Sequence, residues 1–260
     1  MTILDTIAEY ARQRVADARL QMPLNEIKAR AEGLPVGDFS FEKALSHEGM
    51  SFICECKKAS PSKGIIAENF PYLEIARDYE RAGADCISVL TEPKWFLGSD
   101  RFLEEIAGAV SIPCLRKDFT VDEYMIYEAR ILGASAVLLI CSILGKQQLE
   151  EYIGIASDLG LSALVEAHDE REIEMAIGAG ARIIGVNNRN LKDFSVDTDN
   201  SKRLRAMIPE NVLFVSESGV RERSDVAELE EIGADAVLVG ESLMRADDRA
   251  GKLRQLKGLK

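Results

Sequence analysis

A closed α/β fold, a (β/α)8 TIM barrel entered through an N-terminal helical extension, is what this 260-residue sequence predicts. An apolar run, a polar or glycine-rich cluster and an amphipathic stretch recur eight times along it. Each polar cluster closes an apolar run, so parallel strands would deliver all of the clusters to one rim, where barrels of this kind assemble their sites. Gly-Ala joints in RAGADCISV, LGASAVLLI, GAGARIIGV and IGADAVLVG lie about two βα units apart. That spacing favours a closed barrel over an open doubly wound sheet, the alternative fold.

The chain reads as a single domain, with residues 1–48 as the extension and 49–260 as the barrel. The extension carries no strand signal. Two or three helices are predicted there, broken at Met22-Pro23 and again over 33–37. In the first, Ile3, Leu4, Ile7, Ala8, Ala11, Val15 and Ala18 fall on one face at helical spacing. This helical segment is either a cap on the N-terminal end of the barrel or a lid over its rim. The strands then follow as FICECK, CISVL, IPCL, AVLLI, SALV, RIIGV, VLFV and AVLVG. Gly83, Gly133, Gly180 and Gly233 are placed to supply the left-handed residue that ends a helix before the next strand.

Composition narrows the function. A hydrophobic content of 47% supports a real core, and 29% charged residues support a solvated surface. The net charge of −12 argues against nucleic-acid and membrane-surface partners, though not against an anionic small molecule. The start of the chain is amphipathic rather than apolar, and no apolar stretch reaches the length of a membrane span. Five cysteines, Cys54, Cys56, Cys86, Cys114 and Cys141, sit within or at the ends of apolar runs, which predicts buried free thiols and a reduced, cytoplasmic protein. A monomer is the expected state. No metal site is predicted. The two histidines are His47, in the extension, and His168, read as a rim or helix-cap residue. No GxGxxG opens a helix after the first strand, so no dinucleotide is expected.

Strand periodicity selects the residues that face inward. Glu55 and Lys57 share a face with Ile53, whereas Phe52, Cys54 and Cys56 turn toward the helices. By the same parity Lys117, Glu166, Asn187 and Glu217 point into the barrel. A structural core does not accumulate so many charges, because each buried ion costs several kcal/mol before compensation. Clustered titratable groups at a rim mark a site. SESG at 216–219 and GES at 240–242 close the last two strands, where barrels often seat phosphate on backbone N–H groups and a short extra helix. Ser218, Gly219, Gly240 and Ser242 are the candidates there, with Arg189 and Lys57 adding charge.

These motifs, ECKKASPSKG (55–64), LTEPKWFLGS (90–99), LRKDF (115–119), VEAH (165–168), NNRNL (187–191), SESGV (216–220) and LVGESLM (238–244), resemble the indole-3-glycerol phosphate synthase family in their order and over nearly the whole chain. The resemblance implies ring closure of 1-(2-carboxyphenylamino)-1-deoxyribulose 5-phosphate with loss of CO2 and water, in tryptophan biosynthesis, with no added cofactor. Lys117 matches the family's acid, Glu166 and Glu55 its carboxylates, with Lys57 beside them, and Asn187 and Glu217 its positioning residues. Either lysine can serve as the acid in a given step. Ser60, Arg189, Ser218, Gly219, Gly240 and Ser242 match the binding region, and Phe119, Trp95 and Phe96 are placed to line an aromatic pocket or to pack in a rim loop. Departures are Asn190 and Glu92, where the family commonly has Asp, and Ala167 in VEAH. Two other readings compete: a Schiff-base aldolase with Lys117 as nucleophile, and a non-enzymatic barrel that binds a sugar phosphate.

Overall fold

The computed structural model describes residues 2–190 and 194–259. Of the sequence motifs, only the end of NNRNL, Leu191, lies outside the described residues. Three helices open the chain: α1 (Ile3–Gln21), α2 (Leu24–Glu32) and α3 (Ser40–Leu45). Thr2 and Asp5 form a reciprocal capping box that fixes the start of α1, and the chain turns at Pro23 before α2.

Eight barrel strands follow: β1 (Ser51–Cys56), β2 (Cys86–Leu90), β3 (Cys114–Lys117), β4 (Ala136–Ile140), β5 (Ser162–Ala167), β6 (Ile183–Asn187), β7 (Leu213–Glu217) and β8 (Ala236–Val239). All are parallel and pair in sequence order, and β8 returns to β1 through Ser51↔Ala236 to Cys54↔Val239. That last ladder closes the barrel and excludes the open sheet. Each of the eight apolar runs is therefore a strand. The loop after β1 adds a feature the sequence did not suggest, a small antiparallel hairpin pairing Ala59–Ser60 with Gly64–Ile65.

The outer layer is α4 (Tyr72–Arg81), α5 (Asp100–Ala107), α6 (Tyr124–Ile131), α7 (Lys146–Asp158), α8 (Glu170–Gly178), α9 (Asp199–Arg205), α10 (Arg223–Glu231), the short α11 (Glu241–Met244) and α12 (Arg249–Leu256). Gly83, Gly133, Gly180 and Gly233 all take positive φ, between 74° and 87°, at helix-to-strand joints as predicted. All five cysteines are free and buried, and burial pushes the Cys54 and Cys56 thiols up. None of the described helices is long and apolar enough to cross a membrane.

An outward charge breaks the apolar rule. Arg116 on β3 is almost fully buried, and its guanidinium reaches Asp100 of α5 at 2.7 Å, Glu128 of α6 at 2.6 Å and the Met125 carbonyl at 2.9 Å. Burial works against this charge, but Asp100, Glu128 and Asp118 outweigh it. The arginine of RKDF thus ties two helices to the strand that carries Lys117.

The extension reaches both ends of the barrel. Ile3, Leu4 and Ile7 of α1 wall the cavity at the mouth, so α1 is on the rim side. Its Arg14 makes a two-pronged bond to Asp118, at 3.0 and 2.6 Å. The second helix, α2, packs against α6 on the flank. Below, α3 buries Phe41 and Leu45 and its Glu42 N–H donates to Ser162 Oγ at the start of β5, 3.2 Å away. So α1 lies at the rim and α3 at the N-terminal end of the barrel.

Candidate active site

The barrel mouth encloses a cavity of about 450 Å³. Glu55, Lys57, Lys117, Glu166, Asn187 and Glu217 all line it, as the period-two parity of their strands requires. Register sets three of them in two adjacent rows: Glu166 lies opposite Ile140 and Gly185, and Asn187, two residues further along, lies opposite Glu217. Gly185 is where Glu217 fits, since a Cβ there would lie 2.2 Å from Glu217 Oε1.

Two ion-paired lysines organise the site. Lys117 Nζ lies 3.1 Å from Glu166 Oε2 and 3.1 Å from Glu217 Oε2. Burial disfavours the ammonium, but Glu217, Glu166 and Glu55 together outweigh it and hold Lys117 above its ordinary value. Glu166 is held below the usual carboxylate range: burial opposes this, and Lys117, His168 and the bond from Asn187 Nδ2 (3.2 Å) prevail. Glu217 goes the other way, pushed up to about 7 by burial and by the neighbouring Glu166 and Glu55, despite Lys117. Two carboxylates on one lysine therefore carry different proton affinities, the usual mark of an acid–base site. The second lysine is Lys57, whose Nζ lies 2.5 Å from Glu55 Oε1, with Ser88 Oγ donating to the other carboxylate oxygen at 3.4 Å.

The rim beside β7 and β8 holds the predicted binding set. Ser60, Arg189, Ser218, Gly219, Gly240 and Ser242 line the same cavity. Ser218 takes φ 69°, uncommon for a residue with a side chain, and Gly219 φ 103°. The hydroxyls read as anion donors have protein acceptors: Ser218 Oγ donates to Asn187 Oδ1 and Ser242 Oγ to the Val220 carbonyl, both at 3.0 Å. Gly240 serves a purpose besides backbone approach. A Cβ there would sit 2.5 Å from Glu55 Oε1 and 2.9 Å from Lys57 Nζ. Glu241, the first residue of α11, gathers three cations, Arg245 at 3.2 Å, Lys63 at 3.7 Å and Arg189 at 3.9 Å.

The aromatic residues divide. Phe96 and Phe119 line the cavity with ring centroids 6.1 Å apart. Trp95 does not line it. Its ring meets Tyr10 of α1 edge-on at 5.5 Å, with the Lys94 ammonium over its face. Glu92, fully buried, fixes this loop by accepting the N–H groups of Lys94, Trp95 and Phe96. Sequence reading undervalued two residues. His168 lies 3.4 Å from Glu166 Oε1, and its parity with Glu166 was a usable signal. Asp118 lines the cavity and anchors α1, which no local pattern reveals.

Comparison with known proteins agrees with this geometry. The family model described as indole-3-glycerol phosphate synthase matches residues 4–256. The protein of that name from Ruminiclostridium cellulolyticum is 56% identical over 98% of this chain and 99% of its own length. The one from Leuconostoc mesenteroides is 50% identical over 99% of this chain and all of its own. Among solved structures, 3-hexulose-6-phosphate synthase from Salmonella typhimurium superposes with a TM-score of 0.67 over 80% of this chain and 97% of its own, at 16% identity, a likeness of fold alone. The match over nearly all of its length, together with a mouth built from the motif residues, establishes that this chain belongs to the indole-3-glycerol phosphate synthase family.

Proposed function

We propose that this chain converts 1-(2-carboxyphenylamino)-1-deoxyribulose 5-phosphate to indole-3-glycerol phosphate, a carbon–carbon lyase reaction releasing CO2 and water, with Lys117 as acid and Glu166 as base. The observation that carries the reading is the Lys117 ammonium, buried in the mouth and bonded to both Glu166 and Glu217 at 3.1 Å. A proton donor so placed can charge the ketone oxygen as the carboxylate-bearing ring carbon bonds to the ketone carbon. The ring is then cationic and takes up the electron pair of the C–CO2 bond as CO2 leaves. The new hydroxyl departs as water with a proton from a lysine, and a carboxylate removes the proton on the carbon next to nitrogen. Glu166, held ionised, suits that last role. Lys57 on Glu55 supplies a second ammonium for the leaving hydroxyl.

Gly219, the first turn of α11 and Arg189 support a seat for the substrate phosphate, since the first N–H groups of a helix lack internal acceptors. Phe96 and Phe119 support an aromatic wall. All these groups come from one chain, which supports a site complete in a monomer. The aldolase reading is disfavoured by the same observation that supports the synthase. A Schiff-base lysine must be a neutral amine, and the carboxylates around Lys117 hold it charged.

The test is to mix the pure chain with the anilino-deoxyribulose phosphate and follow indole fluorescence. Lys117→Met should lower turnover at least about 100-fold with the circular dichroism spectrum kept. Glu166→Gln should abolish turnover and keep substrate affinity. Turnover of Lys117→Met within a few-fold of the native chain would remove Lys117 from the mechanism.

A further inference from the structure

We infer that His168 is a positioning residue for Glu166, the middle of a Glu172–His168–Glu166 chain that keeps the reactive carboxylate ionised and aimed into the mouth. The inference rests on Glu166 acting as the base. His168 follows β5 and shares the strand parity of Glu166, which brings both to the same side. Glu172 in the first turn of α8 grips it twice: the His168 backbone N–H donates to Glu172 Oε2 at 2.7 Å, and Nδ1 lies 3.0 Å from the same oxygen. Glu172 is itself placed by the α8 cap, where Asp169 Oδ1 accepts its N–H. With one nitrogen so held, the other has a single direction left. Nε2 points to Glu166 Oε1 at 3.4 Å, is buried, and has no hydrogen-bond partner. A buried ring nitrogen without a hydrogen-bond partner calls for an explanation, and a carboxylate oxygen at ion-pair distance provides one.

The surroundings favour a charged ring. Glu166 faces it from β5, Glu172 from α8 and Glu217 from β7. From α9, Asn200 Nδ2 donates to the His168 carbonyl at 3.2 Å and brings no charge. From the turn after β4, Cys141 meets the Glu172 carbonyl as a neutral thiol, its pKa pushed up to about 12 by burial. Lys117 lies on the far side of Glu166. Burial opposes the imidazolium, yet Glu172, Glu166 and Glu217 hold it above the ordinary histidine value. Glu166 is then gripped at both oxygens, by Lys117 at Oε2 and by Asn187 and His168 at Oε1.

A histidine that only pinned α8 to β5 would leave the proton affinity of Glu166 alone, so pH dependence separates the two roles. Because the chain has two histidines, a 15N-histidine spectrum holds two signal sets, assigned by His168→Gln. His168 should be protonated on both nitrogens at pH 6, with a midpoint above the ordinary histidine value that drops in Glu166→Gln. Losing a positive neighbour at this range should move the acidic limb of kcat/KM up by about one pH unit in His168→Gln, about a tenfold loss below the limb. Glu172→Gln should move it the same way by less. A neutral, single-tautomer His168 at pH 6, or an unmoved limb in His168→Gln whatever its turnover, would overturn the inference. Should His168→Gln fail to fold, Glu172→Gln and the spectrum of the native chain decide. Absence of the proposed activity in the native chain would count against the function itself, whereas the spectrum, taken without substrate, judges the His168–Glu166 pair alone.

Discussion

At the scale of single residues, the mouth depends on what is missing as much as on what is present. The absent side chain at Gly240 is space used by the Glu55–Lys57 pair, and a methyl group would intrude to 2.5 Å of the carboxylate. Its φ of −121° is not in the left-handed region that demands glycine, so Gly240→Ala should fold. The added methyl must push Glu55 or Lys57 aside, and displacement of about 1 Å costs roughly 100-fold in well-oriented chemistry. Steady-state kinetics of Gly240→Ala should show that loss in kcat, with a melting temperature close to native. Native kinetics would mean that the pair has slack and that its position is not critical. Parity along each strand was enough to name Glu55, Lys117, Glu166, Asn187 and Glu217, because a period of two leaves no freedom once the core face is known. It could not name the partners. Arg14 and Asp118 lie 104 residues apart, and the Glu172 that orients His168 comes from the following helix. Trp95 was ambiguous in the sequence because a rim loop has no periodicity to fix its direction.

At the scale of elements, one extension serves the two ends of the barrel with different consequences. The rim helix α1 contributes wall residues Ile3, Leu4 and Ile7 and is clamped by Arg14 to a carboxylate with no exposed surface. Removing one partner of a buried pair costs about 3–5 kcal/mol when the other stays buried and charged. Asp118 keeps bonds from Thr91 Oγ1 and the Phe119 N–H, so Arg14→Ala should fall at the low end of that range. Loosening α1 should also raise KM, because the wall moves with it. The bottom helix α3 makes the control. Phe41→Ala empties a fully buried site and should cost about 3–5 kcal/mol while KM stays native. Denaturant melts and Michaelis constants of the two variants, side by side, test the division. If KM rises equally in both, the extension acts as one body. The helices of this extension were legible from apolar spacing and from Pro23, but their places around the barrel were not, since an amphipathic helix announces a buried face and not its neighbour.

At the scale of the whole molecule, the buried charges at the mouth set how stability follows pH. Glu217 and His168 bind protons more tightly in the fold than their ordinary values of 4.5 and 6.5. Each therefore contributes stability that is complete below that ordinary value and is lost as pH rises through the folded one, about 7 for Glu217. Asp118 and Glu166 bind protons less tightly than their ordinary values of 3.8 and 4.5, because Arg14, Lys117 and His168 outweigh burial. Their contribution is complete above those values and is lost as pH falls through the folded ones. The two sets overlap best in mild acid, around pH 5. Melting temperature in about 0.3 M salt, which screens the surface charge, should peak there and decline toward pH 8. Glu217→Gln and His168→Gln should each flatten the alkaline decline, whatever they do to the absolute melting temperature, while Arg14→Ala should flatten the acid side. A native profile that is level from pH 5 to pH 8 would mean that Glu217 and His168 keep ordinary proton affinities in the fold. The difference in charge between the two carboxylates on Lys117 would then have to arise on substrate binding instead.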